Sequence, residues 1–267
     1  MSDDADALKV LNDSGFPLQI AVARAIDSTT ASHGWKVRYE EHAWFNNDDQ
    51  SKGFIDLVIT DQRNCVSAVV ECKRVRNTSW LFLHPDGEGS TRRHAKLFAT
   101  KFDNDGLVAC DWTDIAIDPP CPEAMFCTVR GQGAGERSTV LERIGGELVS
   151  ATEAFAYEER DFRRRGKSVR IYLSVLVTTA DLKVATFAPD QIALDDGILP
   201  EANFTKVPYV RFRKQMSQRS IPLTQADYEN HTRVDYRREN TVFVVRANAL
   251  ADFLKSIDIP STSVHSS

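Results

Sequence analysis

Two short apolar runs separated by a turn constrain this chain more than any other feature. Phe54–Thr60 is almost continuously apolar, broken by Asp56, and Val66–Lys73 repeats the pattern, broken by Ser67 and then by Glu71 and Lys73. Runs this short and this apolar read as buried strands. Asp61–Asn64 supplies a turn between them, so an antiparallel hairpin is the simplest connection. Residues two apart on a strand share a face, so Glu71 and Lys73 point the same way while Cys72 points into the opposite layer with Val70. With the turn centred between Arg63 and Asn64, opposed residues have indices summing to 127, which sets Glu71 opposite Asp56. A turn slipped by one residue towards the N-terminus pairs Glu71 with Phe54 instead, and the sequence leaves both registers open.

Around the hairpin, helical and extended patterns alternate. Phe16–Thr30 is expected to be the first helix, capped by Asp13-Ser14, with Leu18, Val22, Ala25 and Thr29 at helical spacing and Gly34 ending it. Trp35, Val37 and Tyr39 alternate with Lys36, Arg38 and Glu40, the mark of a half-buried strand running towards Phe45. From Arg137 a helical pattern runs through Leu141, Ile144, Leu148, Ala151, Phe155 and Phe162. Glu142, Glu147, Glu153 and Arg160 face away from it, and Gly145-Gly146 marks close approach to another element. A strand over Val169–Thr178 is expected to pair with Val184–Ala188. Tyr209–Arg213 and Val242–Arg246 are further strands, Ala247–Ile257 is a short helix, and Pro260–Ser267 is a polar tail. Residues 77–136, rich in Gly, Pro, Asp and Arg, read as a less regular insertion. The expected organisation is one domain over 1–267, with its core in 14–76 and 137–188, the insertion in 77–136 and a C-terminal extension in 189–259.

A chain of 267 residues that is 42% hydrophobic and 27% charged buries a substantial core and is not a disordered protein. Its longest apolar runs, such as Ile171–Val177 and Val242–Val245, fall far short of the roughly 20 residues that cross a bilayer. Met1–Leu8 has the character of neither a signal nor a transit peptide. The expectation is a soluble, cytoplasmic protein with no membrane partner. Cys65, Cys72, Cys110, Cys121 and Cys127 lack close CxxC spacing and read as reduced thiols, with a loose Cys110, Cys121, Cys127 cluster a minor candidate for a metal clip. A net charge of −5 argues against coating nucleic acid through a general positive field. Basic runs are nonetheless dense at Arg74, Arg76, Arg92, Arg93, His94 and Lys96, at Arg160–Lys167, and at Arg211, Arg213, Lys214, Arg219, Arg233, Arg237 and Arg238. Each run taken singly reads as a solvated face.

Hydrolysis of a phosphodiester needs a divalent cation to activate water and to neutralise charge on the phosphate, and hard oxygen ligands hold Mg²⁺. Carboxylates at Asp56 and Glu71 are such ligands. Three charged groups on otherwise apolar strands are costly unless solvated, paired or coordinated, and ion binding relieves that cost. Lys73 then acts as an electrostatic element that holds the attacking water or the scissile phosphate. The residue types alone leave open a plain Glu71–Lys73 pair on an exposed strand face, with Asp56 solvated near the turn.

The segment Gly53-Phe-Ile-Asp-Leu-Val-Ile, followed after a turn by Ala68-Val-Val-Glu-Cys-Lys-Arg74, resembles the core motif of the PD-(D/E)XK, or restriction-endonuclease-like, superfamily. The order of elements resembles that core too: helix, strand, strand with Asp56, strand with Glu71 and Lys73, long helix, strand. The likeness covers 14–76 by motif and 137–178 by topology, and Ile55 stands before Asp56 where the motif has Pro. The resemblance implies an α/β fold with a restriction-endonuclease-like core, its central mixed sheet flanked by helices, plus an insertion and a C-terminal β-rich extension. It further implies that Asp56 and Glu71 are metal-binding acids, that Lys73 is the catalytic lysine, and that the Cys72 carbonyl is an additional ligand. The implied cofactor is Mg²⁺, with Mn²⁺ able to substitute. Many members carry a glutamate on the first helix; Gln19 occupies that place here, able to hydrogen-bond a metal-bound water while adding no charge, with Glu40 or Glu41 as a substitute acid.

The function so implied is a metal-dependent nuclease acting on DNA more than on RNA. The implied setting is prokaryotic antiviral defence or repair, as a homodimer or with a partner protein. A catalytically inactive nucleic-acid-binding or scaffolding module is the alternative that Gln19 suggests, and a subunit silent until a partner or small-molecule signal assembles it is a third. His42, His84 and His94 are isolated and read as surface or satisfied core residues. Gly131-Gln-Gly-Ala-Gly135 lacks the GK[ST] ending of a phosphate loop. Trp80, Phe82 and Trp112 either stack on bases or pack over the core.

Overall fold

The computed structural model describes residues 3–47, 50–86, 92–102, 107–130, 140–160, 168–217 and 239–259. Helices α1 (Asp3–Asp13) and α2 (Phe16–His33) precede β1 (Lys36–Phe45), β2 (Lys52–Thr60) and β3 (Val66–Lys73). Strands β4 (Ser79–Pro85), β5 (Arg92–Phe102), β6 (Leu107–Cys121), β7 (Glu123–Ala124) and β8 (Phe126–Val129) lead to α3 (Val140–Glu159). There follow β9 (Ser168–Thr178), β10 (Asp181–Phe187), β11 (Asn203–Lys206), β12 (Tyr209–Gln215) and β13 (Glu239–Arg246). A 3₁₀ turn at Ala247–Ala249 then enters α4 (Leu250–Ser256).

The hairpin forms in the register with Leu57 opposite Val70 and Ile59 opposite Ala68, so each pair of indices sums to 127. Asp61 builds its turn: Oδ1 accepts from the Cys65 and Val66 amides at 2.8 and 2.9 Å, and Asn64 takes the left-handed conformation at φ 54°. Strand β1 lies antiparallel outside β2, and β9 lies parallel on the other side of β3, setting Leu176 beside Glu71 and Thr178 beside Lys73. The main sheet has nine strands in the order β1-β2-β3-β9-β13-β12-β7, with β5 also on β9 and β6 on β5. One face, with Leu57, Ile59, Val70, Val175 and Phe243, packs with Val22 and Ile26 of α2 and Phe253 and Leu254 of α4. The other, with Val58, Val69, Leu176 and Val242, packs with Leu148, Val149 and Phe155 of α3. The fold is therefore α/β, a large mixed sheet flanked by helices, and its central strands are apolar throughout because both faces are covered.

Several elements differ from expectation. Helix α2 runs on to His33, closed by Gly34 at φ 76°, and Gly15 at φ 87° stands at its N-terminal cap. Its buried residues are Gln19, Val22, Ala23 and Ile26, so the helix is turned from the expected Leu18, Val22, Ala25, Thr29 stripe and carries Gln19 inwards. In β1 a register shift between Val37 and Tyr39 breaks the simple alternation: Val37 packs on the α2 side and Tyr39 on the α3 side. Strand β9 does not pair with β10. Both edges of β9 are occupied, by β3 on one side and by β5 and β13 on the other, so β10 turns away into a second sheet of order β11-β10-β4-β8, parallel to β4.

Residues 77–136 are not irregular where described, since they supply β4 to β8, and β5 joins the main sheet. Trp80, Phe82 and Trp112 are buried in the core and cannot stack on bases. In α3, Glu153 does not face away: it is 2% exposed and accepts from Trp112 Nε1 at 2.6 Å and Ser217 Oγ at 2.7 Å. Gly145 does mark a close approach, because a Cβ there would lie 2.8 Å from Met216 Sδ. The expectations for Phe162, the Arg160–Lys167 run beyond Arg160, Gly131–Gly135, Arg219, Arg233, Arg237, Arg238 and Pro260–Ser267 lie outside the described residues.

Candidate active site

The β2–β3 ladder ends at Leu57 and Val70, and the strands part just where their carboxylates stand. The Cys72 amide, which would continue the ladder to Ile55, instead donates to Asp56 Oδ2 at 2.7 Å. One oxygen of Asp56 is thereby held by the neighbouring strand, two residues from Val70. Glu71 lies on the α3 face with Val69, and Cys72 lies on the opposite face with Val70, as strand alternation requires. The Cys72 thiol is buried, and burial raises its pKa well above the ordinary range, so it takes no part as a thiolate.

Gln19 reaches the same place from α2. It is 7% exposed, and its Nε2 donates to Glu41 Oε1 at 2.6 Å and to the Asp56 carbonyl at 3.1 Å. Glu41, on β1, takes the left-handed conformation at φ 51° between Glu40 and His42, which pair with Leu57 and Ile55. Of the two candidate substitute acids, Glu41 rather than Glu40 is thus the one joined to the site. Gln19 is occupied by these two bonds.

Burial raises the proton affinity of Asp56, Glu41 adds to the rise, and the Cys72 N–H and the Lys73 ammonium oppose it. Burial and then the Asp56 charge push Glu71 up to about 7; Lys73 opposes the rise, and Glu147 and Glu41 add to it. Among the described residues the Glu71 side chain makes no hydrogen bond and no ion pair shorter than 4 Å. Two half-buried carboxylates coupled in this way form a site that gains by taking up a cation. Asp56 and Glu71 line a cleft of about 830 Å³ between the start of β2, the first turns of α3 and the end of β12. Lys52, Arg143, Glu147 and Lys214 share that wall, whereas Lys73, Gln19 and Glu41 do not line it.

No group of three or more His, Cys, Asp or Glu side chains among the described residues is arranged to hold a metal ion. The donor set that is present fits a hard divalent cation that keeps several of its waters and takes one or two carboxylates, as Mg²⁺ does, and does not fit a closed protein cage. The Cys110, Cys121, Cys127 clip is likewise not formed.

Glu142 and Glu147, expected on the outer face of α3, line the cleft, as does Arg143, which the sequence patterns did not single out. Among the described residues of the basic runs, Arg76 and Arg93 stay more than half exposed in surface pairs, while Lys96, Arg211 and Arg213 are buried and partnered. Arg76 pairs with Asp13, Arg93 with Asp118 at 2.8 Å, and Lys214 with Glu142. Buried Lys96 meets Asp114 at 3.1 Å, and buried Arg213 meets Asp114 at 3.1 Å and Glu239 at 2.6 Å. Arg211, 1% exposed, donates to the carbonyls of His94 and Ile117 at 3.3 and 3.2 Å. His42 bonds Glu158 at 2.9 Å and His84 bonds the Glu123 carbonyl at 3.1 Å.

Compared with protein-family models, with curated proteins and with solved structures, the chain gives no match in any of the three. Its function therefore has to be read from its own geometry. Among the described residues no helix is long and apolar enough to cross a membrane.

Proposed function

We propose that this chain is a divalent-cation-dependent nuclease. The observation that carries the reading is the pair of coupled, half-buried carboxylates, Asp56 and Glu71, facing one cleft from adjacent strands, with Lys73 on the same face of β3 as Glu71. The order α2-β1-β2-β3-α3-β9, with β3 and β9 parallel, supports the restriction-endonuclease-like core that the motif resembles. On that reading β4–β8 are an insertion into the core and β11–β13 an extension of it.

Asp56 and Glu71 would hold Mg²⁺, or Mn²⁺ in its place, with the Cys72 carbonyl as a further oxygen. Such an ion, when bound, polarises the phosphate and lowers the pKa of a bound water. The chain's own groups do the positioning. The Cys72 N–H fixes one Asp56 oxygen and leaves the other for the cleft, while Gln19 anchors the strand through the Asp56 carbonyl. The Lys73 ammonium lies within electrostatic reach of both acids and stabilises charge that develops on the phosphate. Lys52 and Arg143 on the cleft wall supply positive charge for flanking phosphates. DNA as the preferred substrate, and a setting in defence or repair with a second copy or partner protein, belong to the same proposal and rest on the resemblance.

The test is incubation of purified protein with plasmid, linear duplex, single-stranded DNA and RNA in Mg²⁺ or Mn²⁺. Cleavage is expected, with loss in Asp56→Ala and Lys73→Ala; cleavage that survives both substitutions overturns the assignment. The Gln19–Glu41 hydrogen bond, which places an amide where an acid would complete a ligand set, favours one second reading: a nucleic-acid-binding module that does not cut. Binding without cleavage, together with a melting temperature indifferent to Mg²⁺, selects it.

A further inference from the structure

Because β2 parts from β3 at Leu57 and Val70, the stretch from Lys52 to Asp56 has β1 as its sole paired strand among the described residues. This two-stranded ribbon has two unlike faces. Trp44 and Ile55 point into the core, and Gly53 packs tightly beside them, since a Cβ there would lie 3.2 Å from Trp44 Nε1. The opposite face carries the pairs Ala43–Phe54 and Phe45–Lys52, all exposed. Phe54 is 65% and Phe45 48% exposed, and the two are diagonal neighbours across the strands, within reach of one another's rings. Two exposed phenylalanines side by side leave apolar surface in water that a bound partner can cover.

We infer that this face is a stacking platform for the unpaired bases of a single-stranded nucleic acid, with Lys52 taking a phosphate. The inference rests on the nuclease reading for the position of the scissile bond. Lys52, Phe54 and Asp56 border the same cleft along the edge of β2 that β3 no longer covers, so a chain lying across the acids passes that edge. Phe54 is two strand residues from Asp56, about 7 Å, which matches one nucleotide step of an extended strand. A base stacked on Phe54 therefore belongs to the nucleotide next to the phosphate at Asp56 and Glu71. In a duplex the faces of the bases are already stacked on one another, so the strand that uses Phe54 is unpaired there. Stacking on an aromatic ring is indifferent to base identity, which makes this a selector of strandedness and not of sequence. A protein interface is the weaker match: its core is depleted of charge, whereas Lys52 sits in register with Phe45 and the cleft beside it carries Arg143, Lys214 and four carboxylates.

The experiment is fluorescence anisotropy on the full chain in EDTA, with a labelled oligothymidylate and a blunt duplex of equal length. The strand is expected to bind more tightly than the duplex. Phe54→Ala should weaken strand binding about ten-fold with little effect on the duplex, Phe54→Trp should retain it, and Lys52→Ala should reduce its salt dependence. Both phenylalanines are exposed, so melting temperatures should stay unchanged and serve as the folding control. Undiminished strand affinity in folded Phe54→Ala overturns the inference, as does an equal loss for strand and duplex. So does a dimer in sedimentation that Phe54→Ala dissociates without altering strand binding, which assigns the face to a second copy. Because EDTA suppresses hydrolysis, this outcome separates from the cleavage assay. A chain that never cuts still passes if it stacks bases on Phe54, and an active nuclease indifferent to Phe54 fails.

Discussion

Burial and the adjacent Asp56 charge raise Glu71 from 4.5 to about 7 in the folded chain, so between those values the folded state holds a proton that the unfolded chain releases. Stability is then greatest below the lower value and falls as pH rises towards 7, and Asp56, also raised, contributes with the same sign. In EDTA, Glu71→Gln should flatten this slope and stabilise the protein at neutral pH by on the order of 2 kcal/mol, read as urea midpoints across the range. Mg²⁺ should flatten the wild-type slope as well, because a cation competes with the proton for the same carboxylate. Gln19 gives a second test. Its amide lies 2.6 Å from a Glu41 oxygen, so Gln19→Glu sets two carboxylates face to face. A loss of roughly 1–3 kcal/mol above pH 5 is expected in denaturant, and an unchanged midpoint would show that Gln19 holds nothing in place.

Helix α3 meets the end of β12 through a glycine. Gly145→Val should collide with Met216, whose Sδ would lie 2.8 Å from the new Cβ, and cost roughly 1–3 kcal/mol. Met216→Ala in the same chain should recover part of that loss, a coupling that a double-mutant cycle measures directly. This contact was anticipated by the Gly145-Gly146 pair, because two glycines inside a strong helical pattern have little other use. The rotation of α2 was not. Leu18 and Ala25 are as apolar as Ala23 and Ile26, and only the surface under the helix determines which stripe is buried and that Gln19 enters with it.

Across the molecule, Arg213 ties together strands that are far apart in the chain: it meets Asp114 of β6, Glu239 of β13 and, at 4.0 Å, Glu123 of β7. Removing one member of such a cluster strands the others, so Arg213→Met should destabilise by about 3–5 kcal/mol, seen as a lowered denaturation midpoint. A loss below about 1 kcal/mol would mean that solvent reaches these acids and the cluster is ordinary surface pairing. Among the described residues of the basic runs, the buried cations are held by partners inside the fold. Lys96, Arg211 and Arg213 are spent inside the fold on carboxylates and carbonyls, leaving Lys52 and Arg143 among the cations that reach the cleft.

Two hairpin registers, and with them the position of Asp56, stayed open along the chain, and the fold takes one of them; the hairpin itself and the shared face of Glu71 and Lys73 were legible there. They depend on a turn at Asp61 and on strand alternation, both of which act over a few residues. The neighbours of β9 were not legible, nor was the second sheet built on β4 and β10, nor the burial of Trp80 and Phe82. Those depend on which strand edges remain free once distant segments have paired, a competition with no local signature. The same holds for the site's surroundings. Asp56 and Glu71 stood side by side in one of the two registers that their spacing allowed, but the Gln19–Glu41 bond, the cleft against α3 and the exposed Phe54 exist only because α2, β1 and α3 converge where β2 and β3 part.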